Sequence, residues 1–136
     1  ESQQDYLNKC KEAVVSLGLN ENVKFDGHID DPVKFLSDKD VTLFPSIWNE
    51  PFGRVLVESI IAGTPVISRD VGSVKEILND PQGEWTYTTA TDLSSKIVAL
   101  FEKDYKMEER QDFVRSRYSL QSIGSSLEDI LLGNKS

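Results

Sequence analysis

The 136-residue sequence carries 15 basic and 23 acidic residues, a net charge of −8 and a pI of about 4.6, with one cysteine and one histidine. That length suits one domain with a real core, and the acidity argues against a nucleic-acid or anionic-membrane surface, which needs a basic face. Cys10 alone excludes an internal disulfide or a cysteine metal cage, and His28 alone argues against a histidine metal site.

No apolar run approaches the roughly 18 residues of a membrane span, and the N-terminus is not a signal peptide. A soluble cytoplasmic domain is expected. Residues 3–17 place Tyr6, Leu7, Cys10, Ala13, Val14 and Leu17 at helical spacing, with Gly18 as the stop and Cys10 on the inner face as a core residue. A short strand is expected at 23–25, ending at Gly27. Asp30 or Asp31 can cap a helix that begins at Pro32 and runs to about residue 38. A strand follows at 41–44 and a largely buried helix at 53–62, where Leu56, Val57, Ile60 and Ile61 form a broad apolar face. The next strand is 66–68, and Ser73 is positioned to cap a helix over 74–78. The run NDPQG at 79–83 is turn chemistry. A further strand is expected at 85–88. Three helices close the chain, at 92–102, 105–117 and 120–132. Leu93, Ile97, Leu100 and Phe101 face inward on the first of them, and Leu120, Ile123, Leu127, Ile130 and Leu131 mark the last. Residues 133–136 are expected to fray.

Strands that alternate with helices imply an α/β fold, a parallel sheet of about four strands with right-handed crossovers and helices over both faces. Ligands bind such sheets at the carboxyl ends of the strands. Gly27, Ser46 to Glu50, and Asp70 to Gly72 all fall at that edge. A domain of strand–helix pairs should also open on a strand. This one opens on a helix, so the sequence reads as starting inside a larger protein.

The residues able to carry chemistry cluster in 41–72. The helix beginning near Gly53 directs free amides and a positive dipole end to the ligand edge. Arg54 in its first turn either meets an anion there or simply points to solvent or pairs with Glu58 four residues on. Glu58 sits among apolar neighbours and either accepts the vicinal hydroxyls of a ribose or lies on a solvated face. Glu50, in the preceding loop, can accept sugar hydroxyls or stabilise positive charge at a reacting carbon; the plainer reading is an exposed acidic residue. Trp48 can pack on a ring or close the loop. His28 reads as surface or packing, and the turn at 70–72 either approaches a phosphate or is an ordinary strand-to-helix turn. Two glutamates also suggest a glycosidase, but one on a loop and one within a helix do not face each other across a bond. With no GxGxxG and no P-loop pattern, a dinucleotide cofactor or an NTPase is poorly supported.

Residues 50–58, EPFGRVLVE, followed by AGTPVI at 62–67, DVG at 70–72 and EI at 76–77, resemble the retaining GT-B glycosyltransferases of family 4, whose motif is E-x7-E. NVKFDG at 22–27, FPS at 44–46 and the YS at 118–119 belong to the same resemblance, which covers almost the whole chain. It implies a Rossmann-like C-terminal domain that binds a nucleotide sugar, with 1–132 forming part of that domain. It assigns Glu58 to the ribose and Glu50 to the donor sugar near the reaction centre. Phe52, Gly53 and Arg54 would meet the sugar and diphosphate, and Gly27 and Ser46 would border the base. Such enzymes resemble one another in needing no metal or other cofactor to bind the donor. The resemblance further implies that the acceptor-binding N-terminal domain and the basic half of the site precede residue 1. The isolated chain is then expected to be inactive and to bind donor weakly, and any membrane contact of the parent, at the inner membrane face, would lie outside this chain. The parent would act in glycan or polysaccharide biosynthesis. The alternatives are a non-catalytic α/β nucleotide-sugar or regulatory binding module, and a related epimerase or phosphorylase. Gly72-Ser73 departs from the family's usual Gly-Gly.

Overall fold

The structure is a computed structural model that describes residues 2–103, 105 and 107–132; the tail at 133–136 lies outside the described residues. The chain divides into two compact units, Glu1–Asp30 and Asp31–Ser136.

The first unit is built on α1 (Gln3–Ser16). Ser2 and Asp5 start it reciprocally: the Asp5 N–H donates to the Ser2 hydroxyl at 3.2 Å and the Ser2 N–H donates to the Asp5 carboxylate at 3.0 Å. At the other end the Gly18 N–H donates to the Val15 carbonyl and the Leu19 N–H to the Val14 carbonyl, the paired closure that a C-terminal glycine permits. No residue of α1 is buried, and Cys10, expected in a core, is only half-buried. The strand expected at 23–25 is absent. Residues 23–25 join no ladder, and Val23 and Phe25 remain exposed. Alternating apolar residues mark a face, but a strand exists only through hydrogen bonds to a neighbour.

The second unit contains α2 (Pro32–Leu36), β1 (Thr42–Phe44), α3 (Arg54–Ala62), β2 (Val66–Arg69), α4 (Val74–Ile77), β3 (Thr86–Tyr87), α5 (Ala90–Glu102), α6 (Glu108–Tyr118) and α7 (Leu120–Leu131). The strands form one parallel sheet in the order β1-β2-β3, with Leu43 opposite Ile67 and Ser68 opposite Thr86. Among the described residues it has three strands rather than about four. Helices flank it: α3 packs on β1 and β2, and α5 packs on β2 and β3. On the central strand Val66, Ile67 and Ser68 are all buried. Successive strand residues point to opposite faces, so both faces of β2 are covered. On β1, Leu43 is 44% exposed, so that edge of the sheet does not share the two-sided burial expected of it.

Local chemistry sets the helix ends. The Asp31 carboxylate accepts the Lys34 N–H at 3.0 Å with Pro32 in the first turn, and α2 stops at Leu36, two residues earlier than expected. The Thr89 hydroxyl accepts the Asp92 N–H at 3.1 Å, so α5 begins at Ala90. On α5 Leu100 is buried and Phe101 is 64% exposed. Adjacent helical residues lie about 100° apart, so the two cannot both face inward as expected. No residue of α7 is buried.

The core joins Leu56 and Ile60 of α3, Val66 of β2, Val74 and Ile77 of α4, Leu78, Trp85 and Val114 of α6. Trp85 sits between the edge-on ring of Tyr105, at 5.6 Å between centroids, and the Arg110 guanidinium, 4.0 Å above its ring. Arg110 also donates to the Leu78 carbonyl, and burial pulls its pKa below the ordinary arginine value. Buried Asp80 accepts the Glu84 and Trp85 N–H groups at 2.9 and 2.8 Å and so closes the turn before β3.

A buried polar pair fastens α3 to the sheet. The Ser59 hydroxyl lies 2.9 Å from the Thr64 carbonyl and 2.8 Å from the Thr42 hydroxyl. A carbonyl can only accept, so Ser59 donates to Thr64 and accepts from Thr42. Ser59→Ala strips Thr42 of its acceptor in a site that excludes water. The expected loss is about 1–3 kcal/mol of folding stability, read as a lower urea midpoint with an unchanged slope.

Candidate functional site

The loop between β1 and α3 leaves the sheet at its carboxyl edge and is folded back by contacts at both ends. At its start Ser46 is half-buried, and its hydroxyl accepts the Trp48 N–H at 3.4 Å. Ile47 and Trp48 project outward, 68% and 77% exposed. At its end the Glu50 carboxylate accepts the Gly53 N–H at 2.8 Å through Oε1. That bond decides what Glu50 is. It is not a loose acidic loop residue: its side chain takes the first amide of the turn that opens α3. Gly53, which has no side chain to cap the helix, is the N-cap residue, and Glu50 supplies the acceptor from three residues upstream. Glu50 Oε2 has no partner among the described residues.

The same helix start retains donors. The Leu56 N–H turns back to the Gly53 carbonyl at 2.9 Å, while the amides of Arg54 and Val55 have no acceptor among the described residues. These amides and the helix dipole favour negative charge. One turn on, Glu58 is 18% exposed along its side chain and accepts a hydrogen bond from Arg54 Nη2 at 3.0 Å. Arg54 is 82% exposed. Arg54 thus points largely to solvent while it forms the pair with Glu58. That pair runs in the weaker Arg-before-Glu direction with its Arg54 end open to water, so it is worth at most a few tenths of a kcal/mol and is readily exchanged for another partner. Phe52 is 39% exposed, with its ring edge-on to Tyr118 at 5.4 Å. Burial raises the Tyr118 pKa above its usual value.

The turn between β2 and α4 closes the other side. The Ser73 N–H donates to the Glu50 carbonyl at 3.1 Å, and the Ser73 hydroxyl lies 2.9 Å from both the Glu50 and the Pro51 carbonyl oxygens. With one proton for two acceptors, that hydroxyl makes a three-centre bond. Ser73 therefore does not cap α4 with its side chain, as its place in the sequence suggested. It reaches across to the Glu50 loop instead. Gly72 lies beside it at φ +55, and a β-carbon there would meet the Glu50 carbonyl oxygen at 2.4 Å and the Glu50 nitrogen at 2.6 Å. No local signal in the sequence marks either contact, because only the fold brings positions 50 and 72–73 together. Asp70 is paired with Lys75 at 2.6 Å.

The structure thus gathers Glu50, Phe52, Gly53, Arg54, Glu58 and Ser46 on one loop and the first turns of one helix. Gly27 and His28 belong to the first unit, with Gly27 at φ +76 and His28 3.6 Å from the Asp30 carboxylate. Among the described residues no group of three or more His, Cys, Asp or Glu side chains is arranged to hold a metal ion, and no helix is long and apolar enough to cross a membrane.

Residues 3–119 match the family model described as glycosyl transferases group 1. A phosphatidyl-myo-inositol mannosyltransferase of Mycobacterium leprae is 34% identical over 110 residues, 74% of this chain and 26% of that protein. An uncharacterized glycosyltransferase of Methanocaldococcus jannaschii is 37% identical over 86 residues, 61% of this chain and 21% of that one. Among solved structures, Anabaena HepE in complex with UDP superposes with a TM-score of 0.86 at 26% identity, over 96% of this chain and 38% of HepE. HepE with UDP and glucose gives 0.85 at 26% identity, over 96% of this chain and 37% of HepE. The chain spans about a quarter of the length of the mannosyltransferase and under two fifths of HepE.

Proposed function

The chain belongs to the group 1 glycosyl transferases, and on that footing we propose that it forms the donor-binding part of a retaining GT-B enzyme of family 4. The whole protein would move a hexosyl group from a nucleotide diphosphate sugar to an acceptor held by another domain, in glycan or polysaccharide synthesis at the cytoplasmic side. One observation carries this reading: Glu50 is held by the Gly53 N–H at the start of α3 with its second oxygen unpartnered, beside helix amides that still lack acceptors. That arrangement offers a carboxylate to sugar hydroxyls and a positive dipole end to the adjoining diphosphate. Phe52, Gly53 and Arg54 line the sugar and diphosphate, Glu58 takes the ribose hydroxyls, and Ser46 borders the base. The donor charge is met by amides and basic side chains, without a metal. That HepE is solved with UDP supports a nucleotide diphosphate as the recognised group, and the mannosyltransferase relatives support a hexosyl group as the cargo.

The test is calorimetric titration of the whole protein with UDP-glucose and other nucleotide diphosphate sugars, in buffer containing a metal chelator. One donor is expected to bind under those conditions. Glu58→Ala should weaken it about 10- to 100-fold, the loss of hydrogen bonds to a charged group. NMR of the first-formed product should show the donor's anomeric configuration kept. Binding that needs a divalent ion, or an inverted product, would refute the respective part of the reading.

A further inference from the structure

We infer that Ser73 is a positioning residue for Glu50, acting through the main chain of the 50–51 segment. The inference rests on the reading of Glu50 as the carboxylate that meets the donor sugar. Its own support is geometric. The Ser73 amide and hydroxyl place two donors on the Glu50 carbonyl, at 3.1 and 2.9 Å, and the same hydroxyl reaches the Pro51 carbonyl at 2.9 Å. Glu50 is thereby held at three points: its carbonyl by Ser73, its backbone against Gly72, and its carboxylate by the Gly53 N–H. Only the last of these is local in sequence. The other two come from the turn between β2 and α4, which the core holds through buried Val74 and Ile77. Removal of the Ser73 hydroxyl leaves one donor on the Glu50 carbonyl and none on Pro51. The segment can then rotate about Glu50 and carry its carboxylate off the Gly53 amide. Ser73 touches neither the carboxylate nor the helix amides, so its effect falls on the placement of Glu50 rather than on the affinity of the helix start for an anion.

The residue class at 73 sets the strength of this hold. A glycine or alanine keeps the amide contact alone, a serine or threonine adds the hydroxyl. Position 73 thus tunes how rigidly the reactive loop is presented, independently of the residues that contact donor.

Three variants of the whole protein test this: Ser73→Ala, Ser73→Thr and Glu50→Gln. For Ser73→Ala, kcat should fall about tenfold, the scale of one neutral hydrogen bond, with KM for the donor nearly unchanged. Ser73→Thr should recover most of that loss. Hydrogen exchange should quicken at the Gly53 amide in Ser73→Ala and not in Ser73→Thr, although residue 73 makes no contact with that amide. An unchanged kcat and unchanged Gly53 exchange in Ser73→Ala overturns the inference. So does a fall in kcat that threonine fails to restore. If Glu50→Gln keeps full activity, the donor-site reading fails by itself, and the Gly53 exchange rate still decides whether Ser73 positions the Glu50 carboxylate.

Discussion

Gly72→Ala is expected to lower folding stability by about 2–5 kcal/mol and to abolish measurable donor binding. Two separate penalties add. The residue holds φ +55, where a side chain introduces strain of about 1–2 kcal/mol. Its new β-carbon would also fall 2.4 Å from the Glu50 carbonyl oxygen and 2.6 Å from the Glu50 nitrogen, and relief of such overpacking costs about 1–3 kcal/mol. The atoms in the way are backbone, so no rotamer change can move them aside. The loop must shift as a body, and Glu50 shifts with it. Gly18→Ala is the control, since Gly18 has φ +68 and nothing within 4 Å of the added carbon. It should lose only the conformational part. Urea denaturation of both variants in the whole protein separates strain from collision. Equal losses in the two would show that the close approach of residues 50 and 72 is unimportant.

Glu50→Gln should lower kcat by about 10²- to 10³-fold, the scale seen when one pre-organised electrostatic contact to a transition state is removed. Glutamine keeps the size of the side chain and an oxygen to accept the Gly53 N–H, so the loop should keep its shape. The change then isolates the negative charge at Oε2. Single-turnover rates at saturating donor are the measurement, with thermal unfolding as the check on the fold. If Glu50 only positions the loop, glutamine should replace it with little loss, and a near-normal rate would assign Glu50 to structure.

The fold class was legible because three kinds of signal agreed. Apolar runs at 41–44 and 66–68 became β1 and β2, the broad apolar face at 53–62 became α3, and Asp31-Pro32 began α2. Within the candidate site, Glu50, Phe52, Gly53, Arg54 and Glu58 were readable since they share one continuous segment. What was not legible depended on partners distant in sequence. The alternation at 23–25 looks like a strand, yet no neighbour among the described residues pairs with it. Ser73 looks like a helix cap, yet a carbonyl 23 positions upstream competes for its hydroxyl and wins. A short helix of four residues gains little from one capping bond, whereas without the hydroxyl the Pro51 carbonyl would lack a donor and the Glu50 carbonyl would keep the Ser73 amide alone. Phe101 faces outward for a different reason: next to Leu100, it has the right composition and the wrong angle.

The two tryptophans stand at opposite extremes of exposure, Trp85 at 2% in the core and Trp48 at 77% on the Glu50 loop. Their indoles therefore form two optical reporters in one molecule. Trp85, buried and shielded from aqueous quenchers such as iodide, is expected to emit to the blue of Trp48, which is open to them. A single fluorescence spectrum thus carries the state of the fold in its blue component and the state of the loop in its red one. Substitution of phenylalanine at either position tells them apart.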